Sequence, residues 1–275
     1  MKWGAFVQFI LSILDWQGKL PVPYGPYHIF CLVLTAVLTA VAIHYGRRHG
    51  EKQIRFVLLL TSLLVVGLEI YKQINFTFGD GSGTPSYQWY AFPFQFCSTP
   101  MYVGLLAALS KNEKLHKACC CYLATYSVFA GTCVMFYPND VFVETVGINI
   151  QTMIWHGSMV VIGGYLLGSG YVKLECGSVI KAMPIFACAV AMAAVMNEIA
   201  HAAGIELFNM FFISPYEPSS LPVYNLVHDA VPFPVNLVIY VLGFTAAAFL
   251  VLYVCKCIRY FWTMIHVRRH VPIYR

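Results

Sequence analysis

The sequence predicts an all-α, polytopic membrane helix bundle of about seven transmembrane helices. Three observations carry that prediction. Of 275 residues, 59% are hydrophobic and only 11% are charged, with a mean hydropathy of +0.69; soluble domains carry roughly 25% charged residues. Seven stretches hold 19 or more mostly apolar residues, the length that a ~30 Å hydrocarbon core demands at about 1.5 Å per residue. Basic residues gather in alternate connecting loops, the usual mark of membrane orientation.

The chain opens with a short apolar run, Ala5 to Leu14, too short to span. Asp15, Trp16 and Lys19 follow it where a signal peptide would have a small-residue cleavage site, so it reads as an amphipathic segment lying in the interface. Residues 1–26 form this N-terminal region, residues 27–258 the transmembrane domain, and residues 259–275 a basic cytosolic tail. The seven expected spans run from Tyr27 to Tyr45, Ile54 to Gln73, Ala91 to Ser110, Ala118 to Tyr137, Asn149 to Ser169, Ser178 to Ala203, and Asn236 to Ile258.

Charge placement then orients the bundle. One side collects Arg47, Arg48, Lys52, Arg55, Lys111, Lys114, Lys117, Lys173, Lys181, Lys256, Arg259, Arg268, Arg269 and Arg275, leaving only Lys2, Lys19 and Lys72 on the other. The N-terminus is therefore expected to be lumenal or extracellular and the C-terminus cytosolic. This topology accounts for the +5 net charge, so no nucleic-acid partner is implied. Most of the 10 cysteines lie inside apolar runs and read as small helix residues, not a disulfide framework. Among the lumenal loops, residues 74–90 carry an Asn75-Phe76-Thr77 sequon so close to the membrane that glycosylation is disfavoured. The longest, residues 204–235, is rich in Pro and aromatics and has no Lys or Arg; it is expected to fold back over the helices or re-enter the interface.

Polar side chains in hydrocarbon need a reason, and here they fall into one layer. Cys97 lies six residues into the third span, about 9 Å deep at helical rise, and His156 lies seven residues into the fifth. Glu69, Asn197, Glu198 and His201 lie in the last turns of the outward-running second and sixth spans, and Gln95, Ser98, Thr99 and Gln151 join them. Each has a bland reading. A lone Cys is usually a small apolar residue, Glu69 can pair with Lys72, Asn197 can bond a neighbouring helix, and Glu198 with His201, at i and i+3, can be an interfacial polar pair.

Four chemistries suit such a layer. A Cys97–His156 pair could transfer acyl groups through a thioester, with Pro100 kinking the third helix and freeing the Phe96 carbonyl beside the thiol. His156, His201 and Glu198 could hold zinc in a membrane hydrolase, with His28 or Asp229 as further ligands. The layer could bind the cargo of a small-molecule transporter, although no broken helices repeat across two halves. A seven-span receptor is disfavoured, because the third span ends in Leu109-Ser110-Lys111 and the seventh has no Asn-Pro-x-x-Tyr.

Three tracts resemble a known family. Phe92-Pro93-Phe94-Gln95-Phe96-Cys97-Ser98 is similar to a Leu-Pro-Leu-His-Leu-Cys segment, His156-Gly157 to a His-Gly pair in a later span, and Asn197 with Asn209-Met210-Phe211-Phe212-Ile213-Ser214-Pro215 to an Asn-Tyr-Met…Pro tract. The chain thus resembles the transmembrane protein 164 and YwaF-like family of multispanning proteins. The resemblance implies a phospholipid acyltransferase that moves a fatty acyl chain, notably arachidonoyl, from a diacyl phospholipid to a lyso-ether phospholipid in an endomembrane such as the endoplasmic reticulum. It implies Cys97 as nucleophile and His156 as base, with Asn197, Glu198 or His201 orienting the imidazole or stabilising the oxyanion, and neither cofactor nor metal. Gln95 stands where the family has His, so His156 is left to supply the base alone.

Overall fold

The computed structural model describes residues 12–78, 85–228 and 230–268. Residues 5–11 of the expected interfacial run, Asp229, and residues 269–275 of the tail lie outside the described residues. Six helical stretches among the described residues are long and apolar enough to cross a membrane. They are α1 (Pro26–Gly46), α2 (Glu51–Phe78), the consecutive pair α4 and α5 (Glu113–Ala124 and Tyr126–Phe136), α6 (Val146–Gly168), α7 (Cys176–Ala202) and α9 (Phe233–Arg268), which also holds the longest apolar run. All ten cysteines are free.

The expected third span is built differently. Only Thr99–Leu109 (α3) is α-helical. Ahead of it the chain makes single 3-10 turns at Trp89–Ala91 and Phe96–Ser98, joined by extended backbone. Two prolines explain the change. Pro93 pushes the preceding residue out of the helical region, and Phe92 sits at φ −49°, ψ 135°. Pro100 lacks an N–H, so it suits the first turn of a helix and not its interior; it lies in the first turn of α3. It therefore starts a helix where a kink was expected. Between the prolines the side chains alternate as in a strand: Phe94 and Phe96 are buried, while Pro93, Gln95 and Cys97 are half-buried.

This mixed segment still traverses the bundle. At one end Gln73 Nε2 donates to Ala91 O at 2.8 Å. At the other, Arg55 Nη1 donates to the carbonyls of Ala107, Ala108 and Ser110. Positions 55 and 73 are separated by about 27 Å along α2 at helical rise, so residues 91–110 run antiparallel to α2 over the hydrocarbon thickness. Among the described residues six helical stretches are thus long and apolar enough to cross, and residues 91–110 add a seventh, part-helical segment alongside α2. The 55–110 contact marks the basic end of the bundle, and the 73–91 contact the lysine-poor end.

The helix ends follow local rules. Pro26 opens α1, and the Asn112 side chain caps α4 by accepting from the backbone N–H groups of Lys114 and Leu115. Helix α1 packs chiefly on α6 and turns its remaining apolar face outward. Close approach to α6 depends on glycine: a Cβ at Gly157, Gly164 or Gly168 would collide with Thr35, Thr39 or Ile43 of α1. At the centre, Tyr122, Tyr126, Phe186, Phe211 and Tyr240 are fully buried. Phe186 stacks on Tyr126 at 4.5 Å between ring centroids, and Phe96 meets Phe244 edge-on at 4.9 Å. The motif's aromatic residues thus pin the extended chain to the core.

At the lysine-poor end the loop after α7 folds back into the bundle, where Met210, Phe211 and Ile213 are fully buried. A short helix, α8 (Asn225–His228), leads to α9. Helix α9 continues unbroken through Arg268, so the start of the basic tail is helical. The N-terminal chain is tied to the same end: Tyr71 Oη donates to Leu14 O, and Gly18 N to Glu144 O. Asn75 lies inside α2 with 5% exposure, and its amide donates to Leu14 O and Asp15 Oδ1. A glycosyl acceptor must be exposed and extended, so endoglycosidase treatment of protein from mammalian membranes is expected to leave its gel mobility unchanged.

Candidate functional site

The site is built where the extended segment meets α6. The indole N–H of Trp155 donates to Cys97 O at 2.8 Å. An indole buried in hydrocarbon needs an acceptor, and the turn before α3 offers one, because Pro100 leaves carbonyls unused. The Phe96 carbonyl is taken by Thr99 Oγ1 at 2.8 Å, and that hydroxyl also meets Tyr122 Oη. Cys97 and Trp155 therefore share a level, which brings the Cys97 turn to the turn of α6 that carries His156. The 9 Å depth counted along a helix does not apply to Cys97 itself, because residues 92–95 are extended; its level is set by Trp155.

His156 is buried at 6% exposure. Its Nδ1 lies 2.8 Å from Thr152 O. A carbonyl only accepts, so Nδ1 carries the proton and Nε2 carries the lone pair. Nε2 is buried with no hydrogen-bond partner. It is a free acceptor, the state a general base requires. No hydrogen bond joins it to the Cys97 thiol, which is half-buried.

A second cluster flanks this pair. Lys72 Nζ bonds Glu69 Oε1 at 2.8 Å and lies 5.9 Å from the centroid of the Trp155 ring. Gln73 Nε2 donates to the same Glu69 oxygen at 2.6 Å. Glu69 is 5% exposed, so the ion pair is drawn into the bundle wall. Its reach extends to the loop, where burial first and the Glu69 charge second push the Tyr87 phenol above its usual range.

The long loop is held by two amides. Asn197 donates to Met210 O at 3.1 Å and accepts from Met210 N at 2.7 Å. Gln95 donates to Asn209 O and accepts from Phe211 N, both at 2.9 Å. Phe211 and Phe212 take the left-handed conformation, at φ 60° and 56°, which bulky residues adopt only when the surroundings hold them. The two amides supply that hold. Three separated tracts, the Gln95–Cys97 segment, Asn197, and residues 209–215, thus meet as one unit.

A model of the TMEM164 family matches residues 23–256. The chain belongs to the TMEM164 family. Neither the curated proteins nor the solved structures yielded a match.

In this TMEM164-family chain the remaining candidates divide by helix face. Asn197 points inward, whereas Glu198 and His201 are exposed. Glu198 Oε2 accepts from Tyr216 Oη at 2.7 Å, and His201 stacks on the Tyr216 ring at 3.5 Å. Both hold the loop that follows α7 through Tyr216. Ser98 is buried, with its N–H closing a turn on Gln95 O. Gln151 is buried and takes the Thr152 hydroxyl.

For zinc, the geometry is unfavourable. Among the described residues no three His, Cys, Asp or Glu side chains gather as a metal group. His28 has both nitrogens engaged, Nδ1 by Tyr24 N and Nε2 by Met135 O.

Two groups escaped the sequence reading. Trp155 is the link between the motif and α6; its buried indole N–H was the signal. His116 lies at the basic end, 3.6 Å from Cys120 Sγ. This Cys–His contact is sealed, because Nδ1 donates to Ala107 O and Nε2 accepts from Tyr171 Oη. Trp155→Phe keeps the ring bulk but leaves the Cys97 carbonyl without its donor. Thermal unfolding is expected to show a loss of about 1–3 kcal/mol, and a membrane-permeant maleimide is expected to alkylate Cys97 faster.

Proposed function

We propose that this chain is a membrane-embedded phospholipid acyltransferase or acyl hydrolase that carries a fatty acyl group as a thioester on Cys97. The observation that carries the reading is the Trp155–Cys97 hydrogen bond, which brings the turn bearing the thiol to the helix turn bearing the free, buried Nε2 of His156. Cys97 also sits just ahead of the N-terminus of α3, where backbone N–H groups favour developing negative charge.

The chemistry balances with these two residues. Nε2 takes the thiol proton as sulfur attacks the donor ester carbonyl. The ester C–O bond breaks, and His156 returns the proton to the leaving oxygen, releasing a lysophospholipid. An acceptor hydroxyl, from a second lysophospholipid or from water, then gives its proton to Nε2 and attacks the thioester. The C–S bond breaks and the thiolate recovers the proton. In the ligand-free chain thiol and imidazole are not hydrogen-bonded, so bound substrate must draw them together, as catalytic contacts commonly tighten only in the complex.

In this reading the chemistry takes place at the lysine-poor, lumenal side, the orientation that the basic-residue pattern supports, and the endomembrane is the one the family resemblance implies, the endoplasmic reticulum. Intact-mass analysis of purified protein given diacyl phospholipid tests the reading. One added acyl group mapping to Cys97 is expected. Turnover with no acyl-Cys97 at any time, even after rapid quenching, would sink the thioester route.

A further inference from the structure

The groove between α2 and the 93–101 segment has a polar floor that the chain does not satisfy. It is an open groove of about 410 Å3, lined by Val66, Glu69, Ile70, Gln73, Pro93 and Met101 among others. That lies at the small end of the roughly 300–1,000 Å3 range of ligand sites, which suits one acyl chain. Its walls are apolar. At its floor Glu69 Oε2 and Gln73 Oε1 are both buried without a hydrogen-bond partner.

The orientation of Gln73 is not arbitrary. Its Nε2 donates to Glu69 Oε1 at 2.6 Å and to Ala91 O at 2.8 Å. Both partners are acceptors, so the amide cannot be flipped and Oε1 must be the free end. Two buried acceptors without a donor are costly, and the complement to them is a ligand that donates. The charge state narrows the donor. Lys72 already pairs with Glu69 at 2.8 Å, so the site is balanced in charge and suits a neutral O–H better than a second cation. Pro93 and Met101 stand four residues before and four after Cys97. The groove lining therefore includes residues on both sides of the turn that bears the thiol.

We infer that this groove seats a single-chain lipid by its free hydroxyl, with the chain along the apolar wall of α2 and the hydroxyl donating to one of the two unpartnered oxygens of Glu69 and Gln73. Its role as the acceptor site rests on the acyl-transfer reading; its preference for a hydroxylated single-chain lipid does not.

The test uses the full-length protein in lipid nanodiscs and a lysophospholipid with a diazirine in its chain. Photolabelling is expected within residues 66–78 and 93–101. Unlabelled lysophospholipid and monoacylglycerol should both displace the probe. The same lysophospholipid with its hydroxyl methylated should compete about tenfold more weakly, the worth of one hydrogen bond. Ile74, which also lines the groove, is half-exposed, and Ile74→Trp is expected to cut labelling about tenfold with the unfolding temperature held. Labelling confined to other helices, or equal competition by the methyl ether, overturns the inference. Acylation of wild-type Cys97 is followed in parallel. Hydroxyl-selective labelling without acyl-Cys97 would uphold the lipid site while removing the acyl-transfer reading; acyl-Cys97 without selective labelling would do the reverse.

Discussion

Cys97→Ala is expected to lower lipid acyl transfer by about 10³-fold or more, with thermal unfolding close to wild type. The second expectation follows from the environment of the thiol. The residue is half-buried and free of any disulfide, and alanine removes a single sulfur atom, so the cavity left behind is small. Cys97→Ser should be nearly as inactive, because a hydroxyl is the weaker nucleophile and His156 lies outside hydrogen-bonding reach in the resting chain. His156→Gln removes the free lone pair at Nε2 and should cost about 10²–10⁴-fold. The double variant should be no worse than Cys97→Ala, since the two act as a unit. The measurement is acyl exchange between labelled diacyl phospholipid and lysophospholipid in reconstituted vesicles. Full exchange by Cys97→Ala would exclude the thioester mechanism.

Asn197→Leu is expected to be the most destabilising single change among the candidate residues. The side chain is 1% exposed and pairs with both the N–H and the C=O of Met210. Leucine fills the volume but leaves two buried backbone groups unsatisfied, at about 1–3 kcal/mol each. The strain at Phe211 and Phe212, about 1–3 kcal/mol per residue, then loses one of its two holds. The loop should open before the helices separate. Limited proteolysis is expected to cut within residues 204–224 of the variant while wild type resists, and Asn197→Asp, which keeps only the acceptor, should lie between. A variant as resistant as wild type would mean that Gln95 suffices. Any loss of acyl transfer in Asn197→Leu would then be indirect, through the Gln95–Cys97 segment packed against the same loop.

Much of this architecture was legible in the sequence. Six of the seven expected spans are helices, and the apolar loop does fold back into the bundle. The Glu69–Lys72 pair was readable from its i, i+3 spacing. The break in the third span was less so. Hydropathy counts apolar residues whatever their backbone, and Phe92 to Phe96 score as well extended as helical. Two signals were present, the Phe-Pro bond and the alternation of Phe92, Phe94 and Phe96, but a strand-like run inside a membrane span is improbable until its backbone groups find partners elsewhere. The division of Asn197 from Glu198 and His201 was not legible at all. Helix α7 is apolar on every side, so periodicity does not mark its inward face.

Local chemistry accounts for the crossings and their alternation, because a backbone in hydrocarbon must bond within its own segment and basic residues prefer one side. The site depends on pairings that no local rule contains. Trp155 meets Cys97 across 58 positions, and Gln95 meets the 209–211 backbone across 114 and 116. Those contacts exist because one turn and one indole each had one unmet hydrogen bond and two amides each had a donor and an acceptor to satisfy, and only the folded bundle brings them to one another.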